Sequence, residues 1–140
     1  MKAPRFSNLA VDTKADALTD LLNGGTLAIF AGPKPATADE PTSEEHTLLA
    51  VLGFAPCAFK SAINGRAEAE AITPCPSARA AGKPEWFRAY TPEMLGVFDG
   101  TVGPEGDGKT YDLYLDCKDG KIEFDSVVGV DSFYYVEAKR

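Results

Sequence analysis

Side chains that carry out nucleophilic catalysis or bind transition metals are few in this sequence. The chain has one histidine, His46, and three cysteines, Cys57, Cys75 and Cys117. A serine or cysteine nucleophile generally needs a base beside it, and the chain has no G-x-S-x-G or similar nucleophile elbow to accompany His46. The cysteines are far apart, and one histidine without a C-x-x-C pair does not match the spacing of a zinc site. We therefore expect no catalytic residue, no bound metal and no cofactor, and the chain is predicted not to be an enzyme.

Acidic residues near the predicted turns carry oxygens that calcium could use as ligands. They are Asp99, Glu105, Asp107, Asp112, Asp116, Asp119 and Asp125. The spacing of an EF-hand loop is absent, and Asp-Gly pairs are ordinary turn sequences. Gly24-Gly25 follows a predicted helix and lacks the Lys-Ser or Lys-Thr pair of a phosphate-binding loop. Solvated turns are therefore the simpler interpretation of these residues.

The cysteines are too sparse, and odd in number, for the disulfide framework of a small secreted protein. Cys57 follows Pro56, and Cys75 lies between Pro74 and Pro76, so both are predicted in irregular segments. Reduced, buried thiols are the simpler interpretation. A disulfide between Cys57 and Cys75 stays open if the mature environment is oxidising.

The size and charge of the chain restrict its class. Its 140 residues suit one domain that buries a core without metal or disulfide support, with an N-terminal arm over residues 1–12 and a β-rich body over residues 13–140. The net charge of −7 disfavours nucleic-acid binding, which depends on clustered Lys and Arg. No apolar run approaches the roughly 20 residues that cross a bilayer, and none near the N-terminus has signal-peptide length. We expect no membrane span and synthesis in the cytoplasm.

The predicted body opens with a short helix and a strand. Apolar residues recur at helical spacing after Thr13, and they are Ala15, Leu18, Leu21 and Leu22. This pattern predicts a helix over residues 13–22, with Thr13 as its cap. The run Asn23-Gly24-Gly25 tolerates positive φ and would end the helix before a first strand over residues 26–30.

Further short runs with alternating or β-branched side chains are separated by turn residues. They span residues 46–54, 58–63, 66–73, 85–91, 95–101, 111–116, 121–124 and 131–138. Asn64-Gly65 predicts a tight hairpin, and Asp99-Gly100 and Asp119-Gly120 predict further turns. The pattern indicates a mainly β fold, a single-domain antiparallel β-sandwich of jelly-roll or immunoglobulin-like type with one short N-terminal helix.

Aromatic residues are concentrated in two of these strands. They are Trp86, Phe87 and Tyr90 in one strand and Phe133, Tyr134 and Tyr135 in the other. In the first strand we expect Trp86 and Tyr90 on the side opposite Phe87. Adjacent residues of a strand point to opposite faces, so at least one of Tyr134 and Tyr135 should leave the core. Such a ring could belong to a carbohydrate platform, but a surface for a protein partner is the preferred interpretation.

An ordered set of motifs resembles a group of small structural proteins of tailed bacteriophages. The motifs are ADALTDLLNGGTLAIFAGPKPATAD over 15–39, TLLAVLGF over 47–54, AFKSAINGRAEAEAIT over 58–73, PEWFRAYT over 84–91 and FDGTVG over 98–103, before YDLYLD. The resemblance covers residues 15–136. The chain departs from the group in its acidic insert over residues 41–45, its three cysteines and its charged segment over residues 117–124.

The resemblance implies a non-enzymatic virion protein. Its partners would be other virion proteins, namely the major capsid protein or neck and tail proteins, and it would form a homo-oligomer in the particle. A decoration protein that clamps adjacent capsomers is preferred, with a neck, collar or tail component as the alternative. We expect contacts through the arm, the loop over residues 36–45, edge strands, and Phe6, Leu9, Tyr134 and Tyr135. A carbohydrate- or receptor-binding module and a small hydrolase are the competitors from other classes.

Overall fold

A computed structural model describes residues 4–117 and 120–137 of the chain. Its elements are α1 (Asn8–Asp20), β1 (Thr26–Ala31), β2 (Thr47–Gly53), β3 (Arg66–Glu68), β4 (Trp86–Tyr90), β5 (Gly96–Pro104), β6 (Leu113–Asp116) and β7 (Gly129–Val136). The predicted mainly β fold with one short N-terminal helix is confirmed. Residues 1–3 of the predicted arm, Asp119 of a predicted turn and residue 138 of the last predicted strand lie outside the described residues.

The seven strands form one sheet in the order β2-β1-β4-β5-β6-β7-β3. The pair β5–β6 is parallel, whereas the other neighbouring pairs are antiparallel, so the sheet is mixed and not antiparallel throughout as predicted. A parallel pair cannot be joined by a tight turn, and the chain between β5 and β6 forms a loop over residues 105–112.

Isolated bridges give the two outer strands partners and join the two ends of the sheet. Gly53 of β2 pairs with Thr73, and Cys75 pairs with Val128 beside β7, so the segment over residues 73–79 links β2 to the β7 end. On the outer side of β3, Phe59 pairs with Ala69. The outer edges of β2 and β3, which belong to the edge strands expected as contact sites, are therefore partly paired within the chain, β2 at Leu49 and Gly53 and β3 at Glu68.

The helix begins earlier than predicted. The side chain of Ser7 accepts a hydrogen bond from the Ala10 amide at 3.2 Å, so Ser7 is the N-cap. Thr13, the predicted cap, lies inside the helix and donates to the Leu9 carbonyl. Residues 8–12, predicted as part of an extended arm, are therefore helical. The buried side chains of the helix are Val11, Ala15 and Thr19, which are spaced by four residues.

The hairpin at Asn64-Gly65 is confirmed. These residues have φ of 54° and 78°, and Ile63 and Arg66 exchange backbone hydrogen bonds across the turn. The helix is fixed to this hairpin, because Asp12 accepts from the Gly65 amide and Asp16 accepts from the Ala62 amide.

Two apolar clusters lie on opposite faces of the sheet. The main core includes Phe87 and Ala89 of β4, and a smaller cluster contains Trp86, with Tyr90 packed against it. The predicted alternation of β4 is therefore confirmed. The smaller cluster is built from Ala28, Phe30 and Trp86, and the Phe30 and Trp86 rings stack at 4.4 Å.

The predicted turn at Asp99-Gly100 is wrong, since both residues lie inside β5. Asp99 faces Arg88 of β4 in register, and Gly100 faces Phe87. A Cβ at Gly100 would lie 2.5 Å from Cε2 of Phe87, so the glycine makes room for a buried aromatic ring. An Asp-Gly pair here reflects side-chain packing and not chain reversal.

Replacement of Gly100 by alanine is expected to lower the free energy of unfolding by about 1–3 kcal/mol, because the added methyl group overpacks the Phe87 ring. Urea denaturation measures the change. Gly129→Ala is the matched strand control, since a Cβ there meets nothing within 4 Å, and it should change stability by less than about 0.5 kcal/mol. Equal losses in both variants would contradict the packing role of Gly100.

Candidate contact surfaces

The two predicted contact residues near the N-terminus differ in exposure. Leu9, in the first turn of α1, is 78% exposed. Phe6 is half-buried, and the Lys14 ammonium lies 4.2 Å from the centre of its ring. Leu9 is therefore the free apolar group at this end of the helix, whereas Phe6 is already engaged by its own chain.

Tyr134 and Tyr135 lie on opposite faces of β7, as the alternation predicted. Tyr135 packs against the main core, stacks on Phe98 at 5.3 Å and donates to Glu137 at 2.8 Å. Its burial, together with this hydrogen bond, strongly raises the pKa of Tyr135. Tyr134 lies outside, where the Arg66 guanidinium is 3.9 Å from its ring centre. Neither ring is a bare platform.

The proposed carbohydrate platform is not formed. Trp86, Phe87 and Phe133 are at most 4% exposed, so half of the six aromatic residues are inside the protein. A sugar-binding platform needs ring faces that are open to solvent.

Eight large apolar side chains are more than half exposed among the described residues. They are Leu9, Leu21, Ile63, Met94, Leu95, Phe124, Val127 and Val136. Isolated exposed apolar residues are normal, but groups of them mark interaction sites. Of this set, the sequence predicted only Leu9 as a contact residue. Leu21 was predicted in the apolar stripe of the helix but is 51% exposed, and the other six lie in turns or at element ends.

Three of these side chains form the helix-start patch, defined as Leu9, Ile63 and Val136. Arg66 pairs with Ile63 across the hairpin and with Val136 of β7, so Ile63 and Val136 lie on either side of Arg66. Leu9 lies one helical turn before Asp12, and Asp12 accepts from the Gly65 amide at the tip of the same hairpin. The patch therefore borders the N-terminal end of α1.

Three more form the helix-end patch, defined as Leu21, Met94 and Leu95. Leu21 is the C-cap of α1, and the following turn approaches the β4–β5 turn, because the position of a Cβ on Gly24 lies 3.9 Å from Pro92. Met94 has φ of 66°, which is unfavourable for a side chain of its size. The Met94 amide donates to the Thr91 carbonyl and the Thr91 amide donates to the Leu95 carbonyl, so this conformation closes the β4–β5 turn and leaves both side chains exposed.

The Gly32–His46 loop covers the Trp86 face of the sheet. Arg88 donates to the Glu40 carbonyl at 2.6 Å and to the Thr37 carbonyl at 3.3 Å. The same guanidinium donates twice to Asp99, at 2.6 and 2.9 Å, and both side chains are only 5% exposed. The Ala36–Glu45 segment, expected to be a contact loop, is therefore attached to the sheet on its inner side, while residues 41–45 are exposed.

His46 closes the same loop. Its Nδ1 accepts from the Ser43 amide at 3.0 Å, and its Nε2 lies 2.8 Å from the Pro33 carbonyl oxygen. This arrangement requires a neutral imidazole that donates through Nε2. Its ring also meets the edge of Trp86 at 5.0 Å. His46 therefore has a structural role in this loop.

A cleft of about 670 Å³ lies between the end of β5 and the segment over residues 82–84. Its titratable side chains are Lys83, Lys109, Lys121, Glu85, Glu105, Asp107, Tyr111 and Cys117. Asp107 accepts from the Tyr111 hydroxyl at 2.6 Å, which lowers the pKa of Asp107. Burial raises the pKa of the Cys117 thiol, so it is a weak nucleophile at neutral pH.

The cysteines are free thiols in the structure. Cys57 is exposed and Cys75 is buried, and each thiol lies near the carbonyl two residues later, at 3.6 and 3.3 Å. The disulfide left open between Cys57 and Cys75 is therefore not formed.

Within residues 4–117 and 120–137, no group of three or more His, Cys, Asp or Glu residues could hold a metal ion. The same residues include no helix with the length and apolar character to span a bilayer. In comparisons with known proteins, no family model, no curated protein and no solved structure matches this chain.

Arg88→Lys is expected to lower the free energy of unfolding by about 1–3 kcal/mol, because an ammonium cannot serve Asp99 in a bidentate manner and hold both loop carbonyls. A Glu-specific protease should then cleave faster at Glu44 and Glu45. Arg66→Lys, at an exposed arginine, is the control and should cost less than about 1 kcal/mol with unchanged cleavage. Unchanged cleavage in Arg88→Lys would contradict the attachment of the loop.

Proposed function

We propose that this protein is a non-enzymatic structural component of a tailed-bacteriophage particle and works by protein–protein contact. The preferred role is a decoration protein on the capsid. A neck, collar or tail component is the alternative, because the same contact surfaces would serve a ring of subunits. The proposal rests on the motif resemblance over residues 15–136 and on the distribution of exposed apolar side chains.

The observation that carries the proposal is the grouping of these side chains. Six of the eight large exposed apolar residues belong to the helix-start and helix-end patches, at opposite ends of α1. Two separated apolar patches let one molecule touch two neighbours at once. Clamping between adjacent subunits requires this, and repetition over a symmetric shell adds avidity to weak contacts.

Charge supports binding to a less acidic neighbour. The chain carries a net charge of −7, so copies of it repel one another in solution. Apolar patches on an acidic body favour assembly on a partner surface over aggregation of free copies. The protein would then remain dispersed until it meets the particle.

The first test is the copy number in purified particles of the phage that carries the gene, measured by quantitative mass spectrometry. Hundreds of copies per particle are expected for a decoration protein, whereas a ring of roughly 6 to 12 copies would assign it to the neck or tail. Absence from particles that contain all other structural proteins would overturn the proposal.

The second test removes apolar surface from one patch at a time. Met94→Gln with Leu95→Gln should reduce binding to particles lacking the protein by about tenfold or more, because both side chains become buried in the contact. The control is Phe124→Gln with Val127→Thr, which alters two side chains of similar exposure, 69% and 67%, outside the patches. Equal loss in both double variants would contradict the assigned surface.

A further inference from the structure

The sheet is incomplete between β5 and β7. Strand β6 has four residues, whereas β5 has nine and β7 has eight. β6 pairs with β5 only over residues 102–104 and with β7 only over residues 129–133. Among the described residues, no strand lies between residues 99–101 of β5 and residues 134–136 of β7. We call this gap the β5–β7 slot.

Backbone groups on both walls point into the slot. The Thr101 amide donates to Asp112 on this side, so by alternation Asp99, two residues earlier, also directs its N–H and C=O into the slot. On β7, the Phe133 carbonyl accepts a hydrogen bond from the β3 side, and the Glu137 amide donates to that side. By alternation, the backbone N–H and C=O groups of Tyr134 and Val136 point into the slot. A strand placed here would find donors and acceptors on both sides.

The residues that precede β6 do not fill the slot, because the chain turns away from it at Tyr111. If β6 continued towards its N-terminus, Tyr111 would lie opposite Gly100 and Tyr135. Its ring packs instead on Gly103, where a Cβ would lie 2.3 Å from the ring, and its hydroxyl donates to Asp107. The slot is therefore kept open by a specific packing contact of the β5–β6 loop.

The slot contains a cavity of about 180 Å³, which is the scale of one large apolar side chain. Its walls include the rings of Phe98, Phe133 and Tyr135, and Gly100 contributes no side chain to fill it. Val136 at its rim is 67% exposed. A residue of an inserted strand that lies opposite Gly100 would point into this aromatic cavity. Leu113 of β6, which lies opposite Val102 two residues further along β5, is buried.

Charge defines the end of the slot. Asp112 directly precedes β6 and would lie between Thr101 and Tyr134 if the register of β6 continued by one residue. One of its oxygens, Oδ2, accepts from the Thr101 amide and hydroxyl. Asp112 has no ion pair with any residue in the described ranges. A lysine or arginine next to the inserted apolar residue would supply the complementary charge.

We propose that the β5–β7 slot binds an extended segment of another protein subunit, parallel to β5 and antiparallel to β7. The segment places one apolar side chain opposite Gly100, among Phe98, Phe133 and Tyr135. Asp112 already occupies the place opposite Thr101, so the Lys or Arg that follows the apolar residue leaves the sheet beside the Asp112 carboxylate. Binding is by strand addition, in which backbone hydrogen bonds supply affinity and the two side chains supply specificity. This inference extends the proposed function. It rests on that function only for the statement that the segment belongs to another subunit of the particle.

Amide hydrogen exchange of the isolated protein tests whether the slot is open. The amides of Asp99, Tyr134 and Val136 should exchange roughly 100-fold or more faster than those of Gly100 and Tyr135 on the same strands. Alternate residues of one strand serve as their own controls. Equal protection of both sets would show that the slot is closed and would overturn the proposal.

An NMR titration with the peptide acetyl-Thr-Val-Thr-Leu-Lys-amide tests the occupant. Millimolar peptide should shift and protect the three slot-facing amides, and the same peptide ending in Glu should bind at least about fivefold more weakly. Shifts confined to other residues, no shifts, or equal binding of the two peptides would overturn the proposal. This titration needs only the purified protein and a synthetic peptide. Its outcome therefore does not depend on the copy number of the protein in particles.

Two neighbouring proline variants complete the test. Val136→Pro removes an amide that faces the slot and should abolish peptide binding while the protein stays folded. Glu137→Pro removes an amide that donates to the Gly65 carbonyl at 2.7 Å, so it should destabilise the hairpin contact. Retained peptide binding by a folded Val136→Pro variant would contradict the assigned hydrogen bonds.

Discussion

The structure depends on the buried ion pair between Arg88 and Asp99. These residues face each other across β4 and β5, and neither charge can remain inside the protein without the other. The pair therefore favours one register of these two strands over its alternatives. The guanidinium donors that Asp99 does not use bind the Glu40 and Thr37 carbonyls, so the same charge that aligns the strands also attaches the Gly32–His46 loop.

This attachment determines which surfaces of the sheet stay exposed to solvent. The loop covers Trp86 and Phe30 on one face of the sheet, the main core occupies the other face, and bridges cover the outer strands β2 and β3. The apolar patches beside α1 and the β5–β7 slot stay open to solvent. If the proposed function holds, the internal attachments of the loop and strands would limit the ordering cost of binding.

Local patterns in the sequence predicted those elements that depend on local physics. The Asn64-Gly65 hairpin follows from positive φ, and the alternation of β4 follows from strand geometry. The predicted helix start is too late because both Ser7 and Thr13 can cap a helix, and the apolar spacing becomes regular only after Thr13. Asp99-Gly100 was misread as a turn because the partners that require it, Arg88 and Phe87, are distant in sequence. The loop attachment and the helix-end patch likewise arise only from tertiary contacts.

A double-mutant cycle on Arg88→Met and Asp99→Leu, followed by urea denaturation, tests the role of this pair most directly. Each single variant should lose about 3–5 kcal/mol, because it leaves one buried charge without a partner. The double variant should be at least about 2 kcal/mol more stable than the sum of the single losses, since it contains neither charge. Additive losses within about 0.5 kcal/mol would show that the two residues act independently and would contradict the account.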